Sequence, residues 1–199
     1  MISDQYRCVY VHIPKTAGTS IERALGWIGD DVIGPYGTVP YGVQDHRTLN
    51  ELRLAMPTAD FDAYFKFTFV RNPWARVVSW YRNVISDAVH RGNFGIAADS
   101  TLRDFLVRHG STWGLQPLRY WIGDRSGALE LDFIGRFETL RSDFDTVRKR
   151  LGVPAVELPH LTQSNDRTHY RSLYDHECRE IVAQRYAEEI GMFDYRFDG

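Results

Sequence analysis

Short runs of apolar, β-forming residues alternate along the chain with segments of helical periodicity. Strands are predicted from Arg7 to Ile13, from Tyr64 to Val70 and from Leu129 to Gly135. Helical patterns follow, the clearest at 19–27, 73–81, 139–151 and 173–190. Strands that alternate with helices favour a parallel sheet, and ligands bind such sheets beyond the carboxyl ends of the strands. The pattern therefore predicts an α/β fold with a central parallel sheet flanked by helices.

Size and composition limit the classes of protein to which the chain can belong. The 199 residues suit one domain, predicted to span residues 1–199, and 43% hydrophobic with 25% charged residues is typical of a globular chain. A net charge of -2 argues against a protein that coats nucleic acid. Without a signal peptide or an apolar run of membrane-spanning length, a soluble, cytoplasmic protein is expected. Cys8 and Cys178 lack metal-binding spacing and are expected to be buried, inert thiols.

The first candidate site, which we call the cradle, is the turn Pro14-Lys15-Thr16-Ala17-Gly18-Thr19-Ser20 between the first predicted strand and the first predicted helix. Main-chain N–H groups at a helix N-terminus favour anions, and Lys15 adds a positive charge. Gly18 permits close approach of the main chain. In the P-loop of nucleoside-triphosphate proteins the lysine follows the last glycine, whereas here Lys15 precedes Gly18. The cradle therefore predicts an anion site that differs from a triphosphate loop.

The second candidate site follows the second predicted strand, at Arg71. Asn72 and Pro73 are a favoured N-cap residue and a favoured first helical residue, so a helix is predicted to begin there. Ser79 lies two turns into that helix and shares a face with Arg76. A guanidinium engages two phosphate oxygens at once, and a hydroxyl adds a further hydrogen bond. Arg71 and Ser79 therefore suit a phosphate monoester.

Together these two stretches resemble the 5'-phosphosulfate loop and the 3'-phosphate motif of the sulfotransferases that use 3'-phosphoadenosine-5'-phosphosulfate. The resemblance is strongest to the carbohydrate-type group that includes heparan 2-O-sulfotransferase, and it extends more weakly through 133–138 and 186–197. It implies a P-loop-like sulfotransferase fold and no metal. By this resemblance the cradle would hold the 5' end of the donor, and Arg71 and Ser79 its 3'-phosphate. The product would be 3',5'-bisphosphoadenosine.

The resemblance also implies an adenine pocket that is built in part by a late loop. The polar segment 159–170 is the candidate for this loop, and its four hydrogen-bonding residues are 162–165. Ser164 is the residue assigned to the donor there. An ordinary polar loop is the alternative interpretation of the same residues.

A hydroxyl that attacks sulfur needs a base, and a side chain with a pKa near neutrality is best suited to accept the proton. Among the seven histidines, His46 lies between the two candidate sites. A catalytic histidine occupies the corresponding interval in the 2-O-sulfotransferases that the chain resembles, which assigns the base to His46. Other branches use a glutamate in or near the first motif, and Glu22 is the nearest equivalent. His12, just before the cradle, is expected to be a core or supporting residue.

These assignments predict an enzyme that transfers a sulfuryl group to a hydroxyl of a carbohydrate or small alcohol by in-line attack. His46 and Lys15 are its predicted catalytic residues, with Lys15 stabilising charge on the departing phosphate. One alternative is a P-loop-like phosphotransferase, which would need Mg²⁺ and a carboxylate such as Asp132 to hold it. Another is a protein that binds the donor or the bisphosphate without catalysis. No nucleic acid is expected as a partner.

Overall fold

The computed structural model describes residues 1–28, 46–123, 130–159 and 168–198. The chain divides into two compact units, each formed from two stretches of sequence. The first unit is Met1–Val70 with Leu118–Gln163, and the second is Arg71–Pro117 with Ser164–Gly199. A single domain over residues 1–199 stays a prediction, because compact units of this kind occur within one domain as well as in two.

The first unit contains the sheet. Among the described residues it has four strands in the order of the chain: β1 (Ile2–Ser3), β2 (Cys8–Val11), β3 (Phe65–Val70) and β4 (Phe133–Arg136). Strands β2, β3 and β4 are parallel, and β1 pairs antiparallel with β2. The predicted α/β fold with a central, mostly parallel sheet and flanking helices is thus confirmed. The edge strand β1 was not predicted, since two residues are too short to show a period.

The helices connect the strands and build the second unit. In the described ranges they are α1 (Gly18–Ala24), α2 (Leu49–Leu54), α3 (Thr58–Ala63), α4 (Pro73–Ser86), α5 (Ala88–Phe94), α6 (Leu102–His109), α7 (Leu118–Ile122), α8 (Leu140–Arg150), α9 (His176–Arg185) and α10 (Ala187–Phe193). Helices α1 to α3, α7 and α8 belong to the first unit, and the other five to the second. None of them is long and apolar enough to cross a membrane.

One face of the sheet in the first unit is aromatic. Tyr10 on β2 and Phe67 on β3 stack with their ring centroids 4.8 Å apart, and Phe69 meets Phe67 edge to face. Residues two apart on a strand point to the same face, so these side chains form one surface. Ile21 of α1 and Phe144 of α8 are buried in the same core cluster. The core thus fixes α1, and with it the cradle, to the end of β2.

The long helix predicted at 173–190 is interrupted in the second unit. Helix α9 ends at Arg185 and α10 begins at Ala187, with Tyr186 between them. Tyr186 is 2% exposed, and its hydroxyl donates a hydrogen bond to the Leu115 carbonyl at 2.5 Å. Tertiary packing of one aromatic residue therefore overrides a continuous helical pattern.

Both thiols are buried, as expected. Cys8 is 0% and Cys178 1% exposed. Burial raises the pKa of the Cys8 thiol to about 12. Burial, with a hydrogen bond to Asp175, raises the pKa of Cys178 to about 12 as well. Neither thiol is therefore a thiolate near neutral pH, so neither is a nucleophile.

Candidate functional site

The cradle has an unusual main-chain conformation. Lys15 and Ala17 both lie in the left-handed region, at φ 68° and 73°. Such conformations cost about 1–3 kcal/mol each in residues other than glycine, and they cluster at ligand sites. Ala17 is the N-cap residue of α1, and its side chain makes no capping hydrogen bond. An alanine at this position supplies no side-chain oxygen that would compete with an anion for the first N–H groups of α1.

The hydroxyl-bearing residues of the cradle divide by role. Thr16 is fully buried, and its hydroxyl donates to the Ile13 carbonyl at 2.8 Å, which holds the turn closed. Thr19 and Ser20 lie in the first turn of α1 and are 7% and 6% exposed. Lys15 is half-buried. The side chain of Thr16 therefore shapes the turn, and Lys15, Thr19 and Ser20 are the cradle side chains suited to touch an anion.

Gly18 has a use that the sequence did not indicate. A Cβ built on Gly18 would fall within the imidazole of His12, with Nε2 as the nearest atom. The ring of His12 therefore lies directly against the first residue of α1, and only glycine leaves room for it. Gly18 was predicted to permit close approach of the main chain, and in this structure the group that approaches is a side chain of the protein.

Replacing Gly18 by alanine should destabilise the fold by about 1–3 kcal/mol, the usual cost of overpacking. In a His12→Ala background the same replacement should cost much less, because the ring that clashes is gone. Urea unfolding of the four proteins of this cycle measures the coupling. Gly191→Ala is the matched control, since a Cβ on Gly191 meets no atom and alanine favours the helix. Equal costs of Gly18→Ala in both backgrounds would contradict the assigned contact.

Two histidines and a glutamate meet where β2 ends. His12 Nδ1 lies 2.8 Å from Glu22 Oε1, and the two side chains are 3% and 1% exposed. His46 Nδ1 lies 2.9 Å from the main-chain oxygen of His12. The rings of His12 and His46 are also in contact, with centroids 4.2 Å apart. The structure thus brings the predicted base and its predicted rival together beside the cradle.

The hydrogen bonds of these residues fix the positions of the protons. A carbonyl oxygen only accepts, so Nδ1 of His46 carries a proton and donates it to His12. In the neutral ring the lone pair is then on Nε2, as a base requires. Glu22 is fully buried on α1, and its Oε1 is engaged with His12. Burial shields the carboxylate of Glu22 from an incoming hydroxyl, whereas His46 is half-buried and partly exposed to solvent.

Arg71 and Ser79 belong to the second unit, with Arg71 following β3 directly and Ser79 on α4. Asn72 is the N-cap residue of α4, as predicted, and its Oδ1 accepts from the N–H groups of Trp74 and Ala75 at 3.1 and 3.5 Å. These N–H groups are therefore engaged by the side chain of the N-cap residue, a role that Ala17 does not have in α1. A phosphate at this motif would therefore depend on side chains, and Arg71 and Ser79 are the residues predicted to supply them.

Arg76 has a structural role in the same helix. It is 2% exposed, and its guanidinium donates to the carbonyls of Gly114 and Gln116 at 3.0 and 2.9 Å. A buried guanidinium that binds two carbonyls ties α4 to the segment after α6. Arg76 and Ser79 share one face of the predicted helix, but the guanidinium of Arg76 binds main-chain carbonyls within the second unit.

The carboxylate considered for a metal lies at the wrong end of the sheet. Asp132 accepts a hydrogen bond from the N–H of Lys66 at 2.7 Å and pairs with the Lys66 ammonium at 3.6 Å. Lys66 is near the start of β3, whereas the cradle follows the end of β2. Asp132 therefore serves the strand pairing. Ser164 and the rest of 160–167 lie outside the described residues.

Comparison with known proteins places the chain in a family. A model of the sulfotransferase family matches residues 1–196. The chain therefore belongs to the sulfotransferase family. Carbohydrate sulfotransferase 14 of Danio rerio is 27% identical to it, over 96% of this chain and 58% of that protein.

The mouse and human proteins of the same name are each 26% identical, over 98% of this chain and 59% of their own length. The resemblance to carbohydrate-type sulfotransferases is thus confirmed, although the chain spans less than two thirds of these relatives. No solved structure matches it significantly.

Proposed function

We propose that this protein transfers a sulfuryl group from 3'-phosphoadenosine-5'-phosphosulfate to an acceptor hydroxyl. The observation that carries the proposal is His46, which donates from Nδ1 to the His12 carbonyl beside the cradle and so has the tautomer of a base. Membership of the sulfotransferase family supports the same reaction. A protein that only binds the bisphosphate would not need a base at this position.

The roles of the residues follow from their chemistry. His46 accepts the hydroxyl proton at Nε2 as the acceptor oxygen bonds to sulfur. Lys15 and the N–H groups that begin α1 stabilise the negative charge that develops on the departing phosphate oxygen. Thr19 and Ser20 orient the 5' end of the donor through their hydroxyls. Positioning and electrostatics supply the catalysis, so no residue of the chain forms a covalent intermediate.

Arg71 and Ser79 are proposed to bind the 3'-phosphate of the donor. Replacing Arg71 by alanine should weaken binding of 3',5'-bisphosphoadenosine by about 1.5–3 kcal/mol, the usual value of hydrogen bonds to charged groups. Calorimetry measures this loss. Arg103→Ala is the matched control, because Arg103 is an exposed cation of the same unit that pairs with Glu177. An Arg71 variant that binds like the control would exclude this role.

The acceptor is proposed to be a carbohydrate. The vertebrate relatives described above are named carbohydrate sulfotransferase 14, and this is the support for the class. A small alcohol is the second candidate, since the base and the cradle act on any hydroxyl that reaches them. A panel with both classes of acceptor distinguishes the two.

A phosphotransferase is the rival enzyme, and it differs from a sulfotransferase in that its nucleotide binding depends on a metal ion. The sulfotransferase proposal expects 3',5'-bisphosphoadenosine to bind equally well with and without EDTA, and more tightly than ATP. The position of Asp132 against Lys66 supports this expectation, because a phosphotransferase needs a carboxylate near the transferred phosphate. Binding of ATP that requires Mg²⁺ would favour the rival.

A further inference from the structure

A buried, hydrogen-bonded pair of polar side chains lies directly behind the cradle. Glu22 on α1 and His12 after β2 are 0% and 2% exposed and are joined by a hydrogen bond of 2.8 Å. In the part of the chain that the structure describes, Oε2 of Glu22 has no hydrogen-bond partner. Burying such groups costs several kcal/mol, and an apolar pair of the same size would often be as stable. The pair therefore calls for an explanation other than stability.

Three contacts fix the ring of His12. Glu22 accepts from its Nδ1, Gly18 lies against its Nε2 edge, and the ring of Tyr10 stacks on it with centroids 5.8 Å apart. Burial, and next the charge of Glu22, raise the pKa of Tyr10 well above its ordinary value, so that phenol stays neutral. His12 is thus held in one orientation by α1 on two sides and by β2 on a third.

His12 in turn holds His46. Its main-chain oxygen accepts from Nδ1 of His46 at 2.9 Å, and its ring packs against the His46 ring. Two hydrogen bonds therefore link the three residues. The Glu22 carboxylate accepts from the His12 ring, and the His12 carbonyl accepts from the His46 ring. A base that is itself oriented by a fixed partner is a recurring arrangement in catalytic sites.

We propose that Glu22 and His12 are positioning residues that hold His46 in the orientation and tautomer of a general base. The inference rests on the proposed function, since it gives His46 a reaction to serve. Glu22 acts through His12 and does not touch the acceptor. This role explains why a carboxylate is kept buried on α1 beside Ile21, which packs in the core.

A matched pair of variants tests the role of the Glu22 oxygen. Glu22→Gln keeps an acceptor for the Nδ1 proton of His12, whereas Glu22→Met has a similar size without one. Glu22→Met should lower kcat about 10- to 100-fold, as expected for a small misplacement of a catalytic group. Glu22→Gln should restore most of the lost turnover. Both variants should bind 3',5'-bisphosphoadenosine with wild-type affinity, so the change falls on kcat.

A control separates positioning from loss of core packing. Ile21→Val alters the neighbouring buried residue of α1 and should lower stability without lowering kcat. The proposal is overturned if Glu22→Met turns over like Ile21→Val, or if Glu22→Gln is no better than Glu22→Met. If His46→Ala itself keeps wild-type turnover, the proposed base fails instead, which distinguishes the two failures.

The proposed tautomer can also be tested on the wild-type protein, so this test does not depend on the folding of a variant. ¹⁵N NMR of labelled histidine at neutral pH should show His12 and His46 protonated at Nδ1, with Nε2 of His46 bearing the lone pair. The His12 carbonyl still accepts from His46 Nδ1 in both variants, so the tautomer should persist in both. The His46 signal should stay sharp in Glu22→Gln and broaden in Glu22→Met, because the ring of His12 no longer holds one orientation. A His46 ring protonated at Nε2 in the wild-type protein would overturn the proposal.

Discussion

Replacement of His46 by alanine should lower turnover about 10²- to 10⁴-fold, the usual contribution of general base catalysis. The loss follows because His46 is the group proposed to remove the proton of the hydroxyl, and no other described side chain at the cradle is assigned this role. Affinity for 3',5'-bisphosphoadenosine should stay at the wild-type value, since His46 contacts the main chain of His12 and forms no part of the cradle. Steady-state rates and calorimetry on the same preparation measure both quantities.

The matched control for this variant is His176→Ala. His176 is exposed at the start of α9 in the second unit, so its loss removes an imidazole without touching the candidate site. The control should keep wild-type turnover. Wild-type turnover in His46→Ala would exclude His46 as the base, and weaker bisphosphate binding in it would mean that His46 also shapes the cradle.

Replacement of Lys15 by alanine should lower turnover about 10²- to 10³-fold, the effect of removing one group that stabilises a developing negative charge. Alanine keeps a Cβ at a position with φ 68°, so the main-chain strain is unchanged and the effect reports the ammonium group. Bisphosphate binding should weaken as well, because the same charge attracts the 5'-phosphate. Rates and calorimetry again separate the two effects.

Lys149→Ala controls for the loss of a cation. Lys149 is an exposed residue of α8 that pairs with Asp145 at 2.5 Å, and its removal should change neither rate nor affinity. If Lys15→Ala weakens binding but leaves the rate constant of the bound donor unchanged, Lys15 is a binding residue only. Equal behaviour of the two lysine variants would remove Lys15 from the site.

The periodicity of the sequence predicted most strands of the sheet, and the turn residues after two of these strands indicated both candidate sites. Strands β2 and β3 are buried runs of β-forming residues, and turn residues follow each one. The start of α4 was predicted at Asn72 and Pro73, because capping is a local property of the residues involved. The same local chemistry placed the cradle between a strand and a helix.

The contacts that organise the candidate site are long-range and have no local signal. His12 and Glu22 are ten residues apart, and only the turn of the cradle brings their side chains together. A histidine that ends an apolar strand and a glutamate beside Ile21 on the apolar side of a helix were hints of a buried pair. The contact of His46 with His12 spans 34 residues and depends on the tertiary structure alone.

The measurement that tests the central claim most directly is transfer of labelled sulfate from 3'-phosphoadenosine-5'-phosphosulfate to a panel of desulfated polysaccharides and small alcohols. The proposed function predicts label in at least one carbohydrate, dependent on the protein and lost in His46→Ala. Tight binding of 3',5'-bisphosphoadenosine without transfer to any acceptor would contradict the claim and would favour a protein that binds the bisphosphate without catalysis.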